Sequence, residues 1–227
     1  MKLTYFGHSC FEVDTAEVKL LFDPFITPNP LAKNIQVQSI KPDYILLSHG
    51  HADHIADCEM IAKNSGATVV AAWEICDWLN RRGVEKTHPM NTGGKKNFGK
   101  LSVKCVVAQH SSSLPDGSNG GNPMGFIVFS EEGSFYYSGD TALTMDMQLI
   151  PAWAPDLRFA VLPIGDNFTM GAEDAVRCAG MIKCTKIVGV HYDTFGYIQI
   201  NRPFVKDLFI KAGAELLLPE IGSTIVI

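Results

Sequence analysis

Apolar positions along the chain fall into short runs of β type, separated by a smaller number of segments with helical spacing. Leu3–Phe6 and Phe11–Val13 are β-type runs broken at Gly7, and Val18–Phe22 is an apolar run that stops at the turn signal Asp23-Pro24. Residues 24–42 carry Pro24, Pro28, Pro30 and Pro42 with little periodicity and read as a loop. Tyr44–Leu47 predicts a short apolar strand that ends at Ser48-His49-Gly50-His51-Ala52-Asp53-His54. From Ile55 to Ser65 the apolar spacing is helical and stops at Gly66, a glycine C-cap signal. Ala67–Ala72 reads as a strand, and Glu74–Arg82 as an amphipathic helix ended by Gly83.

The second half repeats this order. Residues 88–100 are turn-rich, and Leu101–Ala108 predicts a strand that delivers His110. Residues 111–125 are polar and Gly-rich, and an unstructured loop of that length is often functional. Phe126–Ser130 and Ser134–Ser138 form a predicted hairpin around Glu132-Gly133, leading into Gly139-Asp140. Phe159–Pro163 predicts a strand, Ala172–Lys183 a helix with Glu173 and Asp174 favourably placed in its first turn, and Lys186–Val190 a strand that hands over to His191. Phe204–Ala212 predicts a helix; Glu215–Leu218 and Thr224–Ile227 close the chain as strands. Four β segments therefore end at a His or Asp: His49, His110, Asp140 and His191. That is how a sandwich gathers ligands on one rim. No linker-like shift in composition interrupts the chain, so residues 1–227 read as a single α/β domain with two roughly similar halves.

Composition changes this picture little. The 227 residues are 46% hydrophobic and 19% charged, as in an ordinary globular protein. A net charge of −5, with Lys95, Lys96 and Lys100 read as a solvated loop, argues against nucleic acid as a partner. None of the six cysteines forms a CxxC pair, which disfavours a zinc ribbon or a disulfide framework and predicts buried thiols. No signal-peptide pattern and no apolar run of spanning length is visible, so the expectation is a cytoplasmic protein with no membrane insertion. Trp73, Trp78 and Trp153 are expected in the core, and His88 is expected to be structural.

The chemistry is concentrated in His49–His54, where three imidazoles and a carboxylate occupy six residues. Histidines this close would repel one another when charged, and their buried nitrogens would need partners. A divalent cation meets both demands, because imidazole and carboxylate are natural ligands for it. His49 and His51, two apart on an extended turn, project to one side. Asp53 and His54 turn onto the following helix and face elsewhere, which suits two neighbouring metals sharing one turn.

This HxHxDH motif resembles that of the metallo-β-lactamase superfamily. The later residues match in order: Gln109-His110-Ser111, Ser138-Gly139-Asp140-Thr141 and Val190-His191-Tyr192. His8-Ser9, Asp23-Pro24-Phe25 and the run Leu162–Gly171 are similar to a narrower family of compact bacterial and archaeal metal-dependent hydrolases. That family is akin to ascorbate-6-phosphate lactonase and to the phospholipase D that cleaves N-acylphosphatidylethanolamine. Ala172 stands where that family is expected to have proline, a minor departure because either residue can open a helix.

The resemblance implies a four-layer αββα sandwich. It also implies two divalent metals, zinc first, with manganese, iron and nickel open. By the same likeness His49, His51 and His110 bind one metal, Asp53, His54 and His191 bind the other, and Asp140 bridges them. A hydroxide between the metals would then attack an ester-like bond of a small substrate, a phosphodiester or a lactone. Asp53 and Asp140 carry the catalytic expectation together with His8, which is expected at the site rim to donate to an oxyanion or to orient a ligand. Asp23 is expected to hold a ligand histidine by its second N–H, against the plainer reading of a turn aspartate before proline. Asp166 and Asn167 follow a strand and are expected to line the pocket, with helix capping as the alternative. A secreted β-lactamase lacks its export signal here, a tRNA-maturing nuclease lacks its arm, and a flavodiiron enzyme lacks both its carboxylate at position 51 and room for a flavin domain. A metal-binding or sensing protein without turnover stands as the other class. The sequence leaves homo-oligomerisation open.

Overall fold

A computed structural model describes all residues, 1–227. The first half folds as strands β1 (Lys2–Gly7), β2 (Cys10–Thr15), β3 (Val18–Phe22) and β4 (Tyr44–Leu46), helices α1 (Ala52–Ile55) and α2 (Cys58–Ser65), strand β5 (Thr68–Ala72), helix α3 (Trp73–Arg81) and strand β6 (Thr87–Met90). The second half comprises β7 (Lys95–Asn97), β8 (Leu101–Val107), β9 (Met124–Ser130), β10 (Gly133–Tyr137), α4 (Ile150–Trp153), β11 (Leu157–Pro163), α5 (Ala172–Met181), β12 (Lys186–Val190), α6 (Arg202–Lys211), β13 (Glu215–Leu217) and β14 (Thr224–Val226).

The strands form two seven-stranded sheets, ordered β14-β1-β2-β3-β4-β5-β6 and β13-β12-β11-β10-β9-β8-β7. Each is antiparallel through one end and parallel through the other: β3, β4, β5 and β6 run together in the first sheet, β10, β11, β12 and β13 in the second. The sheets pack face to face through aromatic rings. Phe11 stacks on Phe22 at 4.6 Å and Phe135 on Phe159 at 4.8 Å, while Phe22 meets Phe135 edge-on at 5.9 Å across the gap. Helix α3 covers the first sheet at β5 and β6; α5 and α6 cover the second at β11 and β13. A core of 46 buried residues fills the space between the sheets and under α2 and α3, and a second of 20 lies under α4, α5 and α6. The architecture is the expected αββα sandwich. No helix is long and apolar enough to cross a membrane.

This topology fixes where side chains meet. Strands β1, β3 and β4 share one direction in the first sheet, and β8, β10 and β12 share one in the second. Each ends just before a candidate site residue: His8, Asp23, His49, His110, Asp140 and His191.

Three expectations are corrected. The helix expected over 55–65 is split into α1 and α2, because Asp57 turns its carboxylate to the backbone N–H groups of Ile26 and Thr27, at 2.6 and 2.9 Å. The turn-rich stretch 88–100 holds the edge strands β6 and β7, whose polar residues and Pro89 are normal on a sheet edge and hide the strand pattern. Two of the three tryptophans are not core: Trp73 and Trp153 are exposed, while Trp78 is half-buried against the core with Arg82 over its ring. All six thiols are free and buried.

Candidate metal centre

Tight backbone conformations at the strand ends converge the site. His8, Asp23 and His191 all adopt left-handed φ, at 54°, 42° and 56°. Gly139 does the same at 62°, and a Cβ there would lie 2.8 Å from that of Ser48. Only glycine lets Asp140 follow β10 past the His49 turn. Gly50 is held closely too, since a Cβ would meet Leu114 and Gly120 of the 111–125 loop at 3.3 Å. That loop therefore packs directly on the motif, and Ser112 Oγ accepts the Gly50 N–H.

Six of the seven histidines gather here; His88 instead packs edge-on against Phe98. His49, His51 and His110 form one donor group, with ligand atoms within 4.8 Å of one another, and His8, Asp53, His54 and His191 form another. Asp140 lies between them, its Oδ2 being 3.0 Å from His191 Nε2, 3.2 Å from His54 Nε2 and 3.8 Å from His110 Nε2.

Hydrogen bonding behind the site fixes which nitrogens face inward. Asp23 is fully buried; its Oδ2 accepts from Ser48 Oγ and Tyr137 Oη at 2.6 Å and from His54 Nδ1 at 2.9 Å, while its Oδ1 accepts the Ser48 N–H. The Ser48 hydroxyl spends its only proton on Asp23. It must therefore accept from His49 Nδ1, 2.9 Å away. Both His49 and His54 thus present Nε2 inward. Asp140 Oδ1 and His191 Nδ1 are buried without a hydrogen-bond partner, and His54 Nε2 meets only Asp140 Oδ2, at 3.2 Å. Leaving such atoms unpaired costs about 1–3 kcal/mol each. A cation is what this donor set suits, so the residues fit a metal.

Charge follows the same lines. Burial opposes charge on His54, but Asp140 and Asp23 outweigh it and hold the imidazolium well above the ordinary histidine range. Burial likewise opposes ionisation of Asp140, yet His191 and His54 keep its carboxyl well below the usual range. Burial pushes His49 well down. His8 is lowered to about 4 by burial and by His191. It is therefore neutral at pH 7. Because the Asp53 carboxylate can only accept, His8 Nε2 carries the proton and donates to Asp53 Oδ2 at 3.1 Å, and Nδ1 accepts from Thr194 Oγ1 at 3.0 Å. So His8 stands within ligand distance but is occupied in orienting Asp53, leaving Asp53, His54 and His191 as the available donors.

The chain is similar over almost its whole length to proteins of known kind. A domain model of the β-lactamase superfamily matches residues 19–192. A metal-dependent hydrolase of the UPF0173 family from Christiangramia forsetii is 49% identical over 99% of both chains. The chain belongs to this family of metal-dependent hydrolases. Among solved structures, the metallo hydrolase Igni18 from Ignicoccus hospitalis superposes with a TM-score of 0.89 at 33% identity, over 99% of this chain and 97% of that one. A metallo-β-lactamase fold protein from Bacillus subtilis superposes at 0.74 with 14% identity, over 98% of each, and speaks for the fold alone.

Two placements differ from expectation. His8 is buried beneath Asp53 rather than standing at the rim. Asp166 and Asn167 do not line the cleft; they form a turn beside α5, and their neighbour Phe168 lines it instead. The sequence reading also missed Ser48, Tyr137 and Thr194 as supports. Ser48 directly precedes the motif and carried a signal. Tyr137 and Thr194 act across 114 and 186 residues and carried none.

Proposed function

We propose that this chain, acting as one domain over residues 1–227, hydrolyses an ester-like bond of a small molecule with two divalent metals, zinc first. His49, His51 and His110 hold one ion; Asp53, His54 and His191 hold the other; Asp140 lies between. The observation that carries this reading is the Ser48–Asp23 relay, which commits His49 and His54 to inward-facing Nε2 atoms. Supported histidine ligands of this kind are the usual mark of a functional metal site. Metal bound there lowers the pKa of water towards neutrality and polarises the scissile oxygen.

The protein's own part is positional. Asp23 locks two imidazoles, His8 locks one Asp53 oxygen, and Asp140 keeps a buried negative charge between the donor groups. Asp53, held well below the usual carboxylate range by His8 and His54 against the effect of burial, is anionic at neutral pH. It is also more exposed than Asp140, so it is the carboxylate that reaches the cleft and is placed to orient attacking water by accepting a hydrogen bond from it.

The test is metal-loaded protein assayed against bis(p-nitrophenyl) phosphate and a lactone panel. Asp140→Ala is expected to abolish turnover of whichever substrate is cleaved. Stoichiometric metal with no turnover on any substrate would favour a binding protein of the same fold, and activity surviving Asp140→Ala would refute the two-metal reading.

A further inference from the structure

The cleft above the donor groups encloses about 290 Å³ and is lined by His51, Asp53, His110, Ser111, Asp140, Phe168, His191 and Phe195. No Lys or Arg lines it. Asp23, Asp53 and Asp140 offset most of the charge of a divalent pair, so the loaded site offers little surplus attraction for an anionic substrate. What it offers besides metal donors is aromatic surface. Phe168 is 51% exposed and packs edge-on at 6.1 Å against Tyr197, which is 77% exposed. Phe195 is half-buried against His8 and Phe25.

These exposed rings sit on loops held firmly at their bases. Asp166 and Asn167 both adopt left-handed φ, at 63° and 58°, immediately before Phe168. Such conformations are strained in residues other than glycine and collect at functional sites. Gly165 pairs with Gly171 across the loop, Met170 N–H bonds Thr141 O at 2.9 Å, and a Cβ on Gly165 would strike the His191 carbonyl. The Tyr197 loop is tied by Asp193, whose N–H bonds Ile198 O at 2.8 Å and whose carboxylate takes Ile200 N–H and the Arg202 guanidinium. Two pinned loops thus hold Phe168 and Phe195 in the lining of the cleft and Tyr197 against Phe168.

We infer that Phe168 and Phe195, with Tyr197 packed against Phe168, form a wall that selects an uncharged substrate, an ester, lactone or amide with an aromatic or aliphatic group next to the scissile carbonyl, over a phosphodiester. This rests on the metal-hydrolase reading above and narrows it. Water adds to the carbonyl, the acyl–oxygen or acyl–nitrogen bond breaks, and the proton passes to the leaving group; no other reactant is needed.

The test compares acetohydroxamate with phenylacetohydroxamate, two metal chelators that differ by one phenyl ring, titrated into zinc-loaded protein. The phenyl compound is expected to bind about tenfold more tightly, in line with aromatic contacts plus burial of the ring. Phe168→Ala and Tyr197→Ala, both at exposed side chains, should each erase much of that advantage while leaving acetohydroxamate affinity unchanged. Alongside, kcat/KM for p-nitrophenyl phenylacetate should exceed that for bis(p-nitrophenyl) phosphate. Equal affinity for the two hydroxamates, an advantage that survives both substitutions, or preference for the diester would overturn the wall while leaving the metal site intact. Substitutions that only dissociate an oligomer would make these rings a subunit interface and also overturn it. Binding of neither hydroxamate would overturn the metal site, and the wall with it.

Discussion

Asp23 carries more of the site than its place in a turn suggests. It accepts from Ser48, Tyr137 and His54 and so sets the tautomers of two histidines. Asp23→Ala removes those acceptors and leaves buried donors unpaired. Supporting partners of ligands typically contribute 10–100-fold in metal affinity, so a loss of that size is expected by competition with a chromophoric chelator. An unchanged affinity would show that the relay is only structural. A second expectation concerns protons. The raised pKa of His54 leaves it protonated near pH 7 in the metal-free chain. Its Nδ1–H bonds Asp23, so the proton that must leave for metal is the one on Nε2. Loading should therefore release at least one proton, and affinity should fall as pH drops. Calorimetry in buffers of different ionisation enthalpy reads the release directly; none at pH 7 would contradict it. At this scale the donors were legible, because three histidines crowded into six residues repel and desolvate one another unless a cation holds them. Of their supports, Asp23 and His8 were legible and Tyr137 and Thr194 were not, because those two meet the site only through the fold.

Among the elements, each strand entering the site ends in a turn with little slack. Gly139, at a φ of 62° with Ser48 against it, is the least replaceable of these. Gly139→Ala combines left-handed strain with a clash and is expected to cost on the order of 1–3 kcal/mol or more, read as a lower denaturation midpoint together with weaker metal binding. Loss of neither would mean that the turn relaxes freely. The strands that lead to His49, His110, Asp140 and His191 were readable from apolar runs stopped by polar turns. The failures have local causes. The break between α1 and α2 depends on Asp57 bonding residues about thirty positions away. Edge strands β6 and β7 have too few buried positions to show a pattern.

For the molecule as a whole, the two sheets form a stiff frame joined by rings, and the candidate metal donors hang from one edge of it. Phe22→Ala, deep between the sheets, is expected to destabilise by about 3–5 kcal/mol in chemical denaturation. The likeness of the halves was visible as strands followed by helix, twice. The matched sheet orders were not, because partner choice between strands is settled by packing across the whole core rather than by any local run. The central claim is a pair of metal ions held by seven residues on the sandwich rim. Anomalous scattering from crystals of the zinc-loaded protein tests it most directly. Two peaks are expected, one among His49, His51 and His110 and one among Asp53, His54 and His191, with Asp140 touching both; a single peak or none in fully loaded, active protein would contradict a dinuclear centre.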